Sequence, residues 1–244
     1  MANGLDPRGS AFAYGARATR EGVAFDAGLR SYMLSVYNTM ASGVLLTGLV
    51  ALGFAASGMA AQVFAGPGIM KWVIMFAPLG LVLWLSFGIN RLSQGAAQAL
   101  FWVYAVAMGL SLSTIFLVYT GSSIATTFFA SAAAFGALSL YGYTTKKDLS
   151  GLGTFLIMGL VGLIVASLIN LFVQSSGLGF AISLVGVLLF AGLTAYDTQK
   201  IKEMYSAVGG TEFRGKAVIM GALTLYMDFI NLFLFLLRFM GNRE

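Results

Sequence analysis

The chain contains no cysteine and no histidine. Without cysteine there are no disulfides, no thiol nucleophile and no iron–sulfur cluster. Without histidine there is no His-ligated haem and none of the usual zinc sites. The side chain that most often senses pH near neutrality is missing too, so proton sensing falls to carboxylates. Charge is the third scarcity: Asp, Glu, Lys and Arg make up 9% of 244 residues, against about 25% in soluble domains. So few charges cannot cover a water-facing surface. A soluble enzyme, a nucleic-acid-binding domain and a disordered chain are all excluded.

Apolar side chains are what the sequence does have. Hydrophobic residues are 59% of the chain and the mean hydropathy is +0.87. They fall in long continuous runs, not short alternating ones, which selects helices over a membrane barrel. Seven runs stand out, roughly Ser35–Ala56, Trp72–Ile89, Ala96–Tyr119, Ile124–Tyr143, Thr154–Val173, Leu178–Thr198 (with a possible extension past Ile201) and Ala217–Phe239. Each is close to the 20 or so residues that cross about 30 Å of hydrocarbon. The expected fold is an all-α integral membrane protein with seven transmembrane helices. Residues 1–30 read as a flexible cytoplasmic tail without a signal-peptide core, and residues 31–244 as the transmembrane domain. The breaks at Thr120–Ser123 and Gln174–Gly177 are short enough to demand tight antiparallel hairpins. Gly43, Gly48, Gly53, Gly159, Gly162 and Gly192 offer close helix packing. Pro78 interrupts the hydrogen-bond ladder of the second span.

Basic residues are unevenly placed. With seven spans, one face collects Arg8, Arg17, Arg20, Arg30, Arg91, Lys146, Lys147, Lys200, Lys202, Arg214 and Lys216. The other face keeps Lys71, Arg238 and Arg243. Eleven of the fourteen basic residues on one side put the N-terminus in the cytoplasm and the C-terminus outside. The same rule accounts for the net charge of +5 without invoking nucleic acid.

Of nine acidic residues, seven lie in tails and loops. Asp197 and Asp228 lie inside the sixth and seventh spans. A charged side chain at membrane depth costs on the order of 2.5–3.5 kcal/mol, and the common reason to keep one is an ion or proton pathway. The alternative is a buried acid satisfied by one partner, with no transport role. On the span boundaries above, the two carboxylates differ in depth by about 10 Å, or two turns. Consecutive antiparallel helices usually neighbour each other, and helix tilt or a later start to the seventh span would bring the acids into reach. Two adjacent carboxylates do not titrate independently and can share one proton. That proton would hold the helices together, and its loss would add repulsion and attract a divalent cation. Oxygen-only ligands favour Ca²⁺ over a transition metal, with Asp197 and Asp228 as its ligands.

Arg91 ends the second span on the same face as Asp197. It is either a latch that closes the mouth by pairing with that acid or an interfacial arginine that snorkels to water. Asn170, Gln98, Tyr226 and Asn231 are polar groups within spans. Asn170, Tyr226 and Asn231 are candidates to line a pore; each also suits ordinary interhelical hydrogen bonding. Lys146, Lys147 and Asp148 read as a solvated loop.

These residues resemble a known family. The stretches AYDTQKIK (Ala195–Lys202) and LYMDFINLFLFLLRF (Leu225–Phe239), each carrying its acid, look like the signature of the Bax inhibitor-1 family, also called the transmembrane Bax inhibitor motif family, in its bacterial branch. MASGVLLTGLVA (Met40–Ala51), the third-span run ALFWVYAVAMGLSLSTIFLVYT and KKDL (Lys146–Leu149) support it, and the likeness covers roughly residues 30–241. The resemblance implies a seven-helix fold whose last helix is central and wrapped by the other six. It implies a pH-sensitive Ca²⁺ leak with a two-aspartate sensor matching Asp197 and Asp228, and an arginine latch matching Arg91. One departure is that some bacterial relatives carry a glutamate within the second helix and this chain has none there. The restraint of cell death by eukaryotic relatives does not transfer.

The leading expectation is a pH-sensitive calcium leak channel of the cell inner membrane, gated by protonation of the aspartate pair. A regulatory protein that binds a membrane partner, such as a membrane-bound protease, is the second reading, and a proton-coupled calcium exchanger the third. An enzyme is not expected, since no nucleophile–base or metal set is present. No cofactor is expected besides Ca²⁺ as the ion carried or bound, and the lipid bilayer is the one certain partner.

Overall fold

Every apolar run becomes a helix, because only a helix satisfies all its own backbone groups in hydrocarbon. The computed structural model describes the backbone of residues 7–243 and the side chains of residues 25–243. The elements are α1 (Pro7–Ala56), α2 (Met59–Ala65), α3 (Met70–Gly88), α4 (Gln94–Leu112) continued by a 3₁₀ turn (Ser113–Leu117), α5 (Gly121–Thr144), α6 (Ser150–Val173), α7 (Ser176–Val208) and α8 (Arg214–Met240). Seven of them are long and apolar enough to cross a membrane, the span within α1 running from Phe25 to Ala56. Of the tail read over residues 1–30, residues 1–6 lie outside the described residues, and the backbone from Pro7 onward is part of α1.

Helix ends follow the local chemistry. Ser93, Thr120 and Ser175 each sit just before a helix, and each side-chain oxygen accepts a backbone N–H of the first turn. Between α6 and α7 only Gln174 and Ser175 remain, and Gln174 turns the chain with a left-handed φ of 52°. The expected tight hairpin is therefore there. The short α2 has no counterpart in the sequence reading: seven residues are too few for a hydropathy window to catch. Pro78 is buried within a helix that continues on both sides of it.

The last helix lies at the centre. In α8, 61% of the apolar window is buried within the protein, against 11% in α3 and in α6. It packs chiefly against α7, α1, α5 and α4. The two remaining spans stand outside these, α3 against α4 and α6 against α7. The ring of six is thus two-tiered, which is why α3 and α6 present so many large apolar side chains to the lipid. Phe76, Trp84 and Phe87 on α3, and Phe155, Met158 and Phe172 on α6, are all exposed.

Close approach depends on a few small residues. At Gly142 on α5 a Cβ would run into the backbone carbonyl of Ala195 on α7, and at Gly109 on α4 it would meet the Thr47 carbonyl of α1 at 2.7 Å. Among the glycines singled out in the sequence, Gly43, Gly159 and Gly192 pack this way, whereas Gly48, Gly53 and Gly162 face open space. One end of the bundle gathers the basic residues. There Arg214 bonds Ser31 (3.1 Å), Lys216 the Asn90 carbonyl (3.4 Å) and Lys202 the Tyr143 carbonyl (2.7 Å). At the opposite end the chain's last turn is clasped: the Asn242 N–H donates to Ser123 Oγ (2.9 Å), and Arg243 pairs with Tyr119.

Candidate functional site

Both intramembrane acids lie on helices that outrun their apolar cores. α7 continues ten residues beyond Thr198 to Val208, and α8 begins three residues before Ala217, at Arg214. Measured from the basic end, Asp197 is then 11 residues deep and Asp228 is 14 deep. At 1.5 Å per residue these are about 16 and 21 Å, a difference of less than one turn. The two-turn gap expected from hydropathy narrows because α7 continues ten residues past Thr198, which outweighs the three residues that α8 adds before Ala217.

The Asp197 and Asp228 carboxyls are neighbours across the α7–α8 interface. Asp228 is 4% exposed, and its Oδ2 is fully enclosed with no donor among the described residues. Asp197 is half-buried, and the cation that bears on it is Lys200, three residues along the same helix. An ionised carboxylate only accepts hydrogen bonds, so two of them in contact make a bond only when one carries a proton. The side-chain hydrogen bonds of α7 and α8 run elsewhere, to the helices' own backbones, to other helices or to the loop after α5. The acid pair is thus the polar link between α7 and α8 among the described residues.

Each of the two helices is anchored on its far side. On α7, Thr198 Oγ1 lies 2.8 Å from Ser139 Oγ, which lies 2.7 Å from the Tyr37 hydroxyl, so three hydroxyls tie α7 to α5 and α1. Next along α7, Gln199 clamps the loop after α5: its Oε1 accepts the Leu149 N–H and its Nε2 donates to the Lys147 carbonyl, both at 2.8 Å. On α8, the Tyr226 hydroxyl lies 2.7 Å from Thr47 Oγ1, which donates to the Ala105 carbonyl at 2.9 Å, joining α8 to α1 and α4.

The remaining sequence candidates are scattered. Tyr226 is fully buried in the bond just described. Asn231, one turn beyond Asp228, donates to the Met227 carbonyl of its own helix (2.8 Å). Asn170 accepts the Ser175 N–H (3.0 Å) and shapes the α6–α7 hairpin at the far end of the protein from Asp197. Arg91 is exposed in the turn after α3, beside Trp84 and Phe87. The helix it follows, α3, packs chiefly against α4 and α2, and no bond between Arg91 and Asp197 is present among the described residues.

Sequence reasoning missed the Tyr37–Ser139–Thr198 chain, the Gln199 clamp and the Gly142 contact. A signal for two of them exists on α5, where Thr127, Ser131, Ser139 and Gly142 are all buried at helical spacing. A stripe of small polar residues on a membrane helix marks its protein-facing side. Gln199 gives no such signal, because its partners are backbone groups of a loop. Lys146, Lys147 and Asp148, read as a solvated loop, are exposed, but Gln199 holds their backbone in place.

The chain is similar to known proteins over most of its length. Residues 29–244 match the family model described as inhibitor of apoptosis-promoting Bax1. A Rickettsia prowazekii protein is 53% identical over 93% of this chain and 95% of its own length. The inner membrane protein YbhL of Escherichia coli is 49% identical over 89% of this chain and 94% of its own length. A Caulobacter vibrioides relative is 46% identical over 93% of this chain and 95% of its own length. With seven membrane-spanning helices, a central last helix and near full-length agreement with bacterial relatives, the chain belongs to the Bax inhibitor-1 family.

Proposed function

We propose that the protein is a pH-sensitive Ca²⁺ leak pathway of the inner membrane, gated by a proton shared between Asp197 and Asp228. The basic end faces the cytoplasm and the C-terminus lies outside, as the distribution of Lys and Arg argues. The observation that carries this reading is the proximity of the two carboxyls mid-bundle, with Asp228 Oδ2 enclosed and without a hydrogen-bond partner among the described residues.

With one proton between them, the pair is a hydrogen bond that closes the α7–α8 interface. Without it, two acceptors face each other at membrane depth, where uncompensated charge is costly. Either the helices part or a cation enters. Ca²⁺ is the ion that oxygen donors favour, and it takes 6–8 of them. Two carboxylates supply fewer than that, and no group of three His, Cys, Asp or Glu forms among the described residues. The pair therefore suits an ion in passage, which completes its shell with water and is cargo, not a resident metal. A latch role for Arg91 requires α3 to close toward α7 in another state.

The test is Ca²⁺ flux into liposomes holding only the purified protein, across a pH series around neutrality. Wild-type flux should change with pH, whereas Asp197→Asn and Asp228→Asn should each flatten the profile, because an amide cannot titrate. An unchanged profile in both variants refutes the reading.

A further inference from the structure

α1 and α5 do not pack along each other. Between them lies a cavity of about 760 Å³, open at the side and floored by Phe229 of α8. That volume is within the roughly 300–1,000 Å³ of ordinary ligand sites. Its walls run from Arg30 to Leu45 on α1 and from Tyr143 back to Phe128 on α5. Each wall covers 16 residues, about 22 Å of helix from first to last. Half of a bilayer, headgroups included, is also about 20–22 Å. The groove is therefore about as long as one leaflet is thick, and it runs from Arg30 and Tyr143 at the basic end to Leu45 and Phe128 deep in the bundle.

Polarity follows the same axis. The inner part is lined by Met40, Val44, Ala132 and Phe135, and the lining contains no acid. At the mouth stands the Arg30 side chain, and Tyr143, which lines the same end, holds the Lys202 ammonium, 2.7 Å from its carbonyl and 5.2 Å from the centre of its ring. An ammonium has three N–H donors, so a lysine held this way still has hydrogen bonds to give. An apolar slot about as long as one leaflet is thick, with two cations at its basic end, complements an anionic lipid.

We propose that the α1–α5 groove is a binding site for an anionic phospholipid of the leaflet at the basic end, with an acyl chain in the slot and the phosphate between Arg30 and Lys202. The lipid would lie against Ser139 and Phe229, the first bonded to the neighbour of Asp197 and the second next to Asp228 in sequence. The site goes beyond the proposed leak and does not depend on it.

Gly136 provides a clean test, since it lines the groove and a Cβ there meets no atom within 4 Å. Gly136→Leu should fill the slot without disturbing the fold, and Gly162→Leu, also in open space but on α6, serves as control. The full-length protein in detergent is mixed with phosphatidylglycerol or phosphatidylcholine, and bound lipid is read by native mass spectrometry. Phosphatidylglycerol should be retained over phosphatidylcholine. Gly136→Leu should lose it and Gly162→Leu should keep it. Arg30→Ala and Lys202→Ala should each weaken its retention about fivefold, the worth of one basic residue near an anionic lipid. Equal retention by Gly136→Leu and wild type would overturn the site, and equal retention of both lipids would overturn the headgroup recognition. A wild-type dimer that Gly136→Leu splits would also overturn it, assigning the groove to a second copy of the chain.

Discussion

Gly142→Ala adds a single methyl group where α5 crosses α7. The new Cβ would overlap the Ala195 carbonyl oxygen and lie 2.9 and 3.0 Å from the Ala195 carbonyl carbon and Cα. Carbon atoms rest at about 3.5–4.0 Å, and backbone cannot rotate away as a side chain can. The helices must therefore part by roughly 1 Å, at an overpacking cost of about 1–3 kcal/mol. One turn earlier the Ser139–Thr198 hydrogen bond of 2.8 Å would stretch with them, adding about 0.6 kcal/mol, the mean for membrane interhelical bonds. Alanine returns up to about 1 kcal/mol of helix propensity over glycine. The net loss is about 1–3 kcal/mol, and at about 2–4 °C per kcal/mol for this size the Tm should fall by about 2–12 °C. Scanning fluorimetry of the three tryptophans in detergent reads this directly. Gly162→Ala, where a Cβ meets nothing, keeps the propensity gain without the clash and should not fall. If both variants keep the wild-type Tm, the contact between Gly142 and Ala195 does not set the α5–α7 spacing and the argument fails.

Three further outcomes follow from the same geometry. Gln199→Ala leaves the Leu149 N–H and the Lys147 carbonyl without partners, a cost of about 1–3 kcal/mol for buried groups; amide exchange over residues 146–150 should accelerate while that of α8 stays unchanged. Asp148 Oδ1 accepts the Ser150 N–H at 2.8 Å, and this bond holds its carboxyl below the ordinary value. Its cap on α6 is then fully present above the ordinary value and is lost as pH falls through the lowered one. The extra protection of Ser150 in wild type over Asp148→Ala should disappear across that acid window, and an undiminished difference would contradict it. Because the chain has no cysteine, a disulfide engineered through paired Gly186→Cys and Phe235→Cys joins α7 to α8 on an otherwise unreactive background. The oxidised protein should lose pH-driven Ca²⁺ flux and regain it on reduction, and flux that ignores the disulfide would show that α7 and α8 need not separate.

Fold class was legible because transfer free energy writes it into composition: seven apolar runs gave seven spans, and the same two residues stood out as intramembrane acids. What stayed hidden has a physical cause in each case. Hydropathy finds the part of a helix that lies in hydrocarbon, so it stopped α7 near Thr198 although the helix runs to Val208. That error alone produced most of the false depth gap between Asp197 and Asp228. Glycine is equally permissive at a helix crossing and facing lipid, so Gly43 and Gly48 could not be told apart until the neighbours were in place. Asn170 was a fair pore candidate from its position in a span, yet its carbonyl oxygen is used by the adjacent hairpin. Local turn chemistry is easy to mistake for interior polarity when the end of a span is known only to within a turn.

The distribution of polar bonds shows where a proton can act. α7 is tied to α5 by the Ser139–Thr198 hydroxyls and to the following loop by Gln199. α8 is tied to α1 and α4 through Tyr226 and Thr47. Those ties contain no group that titrates near neutrality, so a change of pH leaves both halves intact. Between the halves runs the α7–α8 interface, otherwise apolar, with the two carboxyls as its polar contact. Apolar packing is non-directional and tolerates sliding or opening better than a bonded network does. On the proposed reading, removing one proton there turns the attraction between the two acids into repulsion, while the Tyr37–Ser139 bond still ties α1 to the α5–α7 side. The change would then act on how α7 and α8 sit against each other, with α1 bonded to both sides as the shared support. That is the kind of displacement a leak through the middle of the bundle requires.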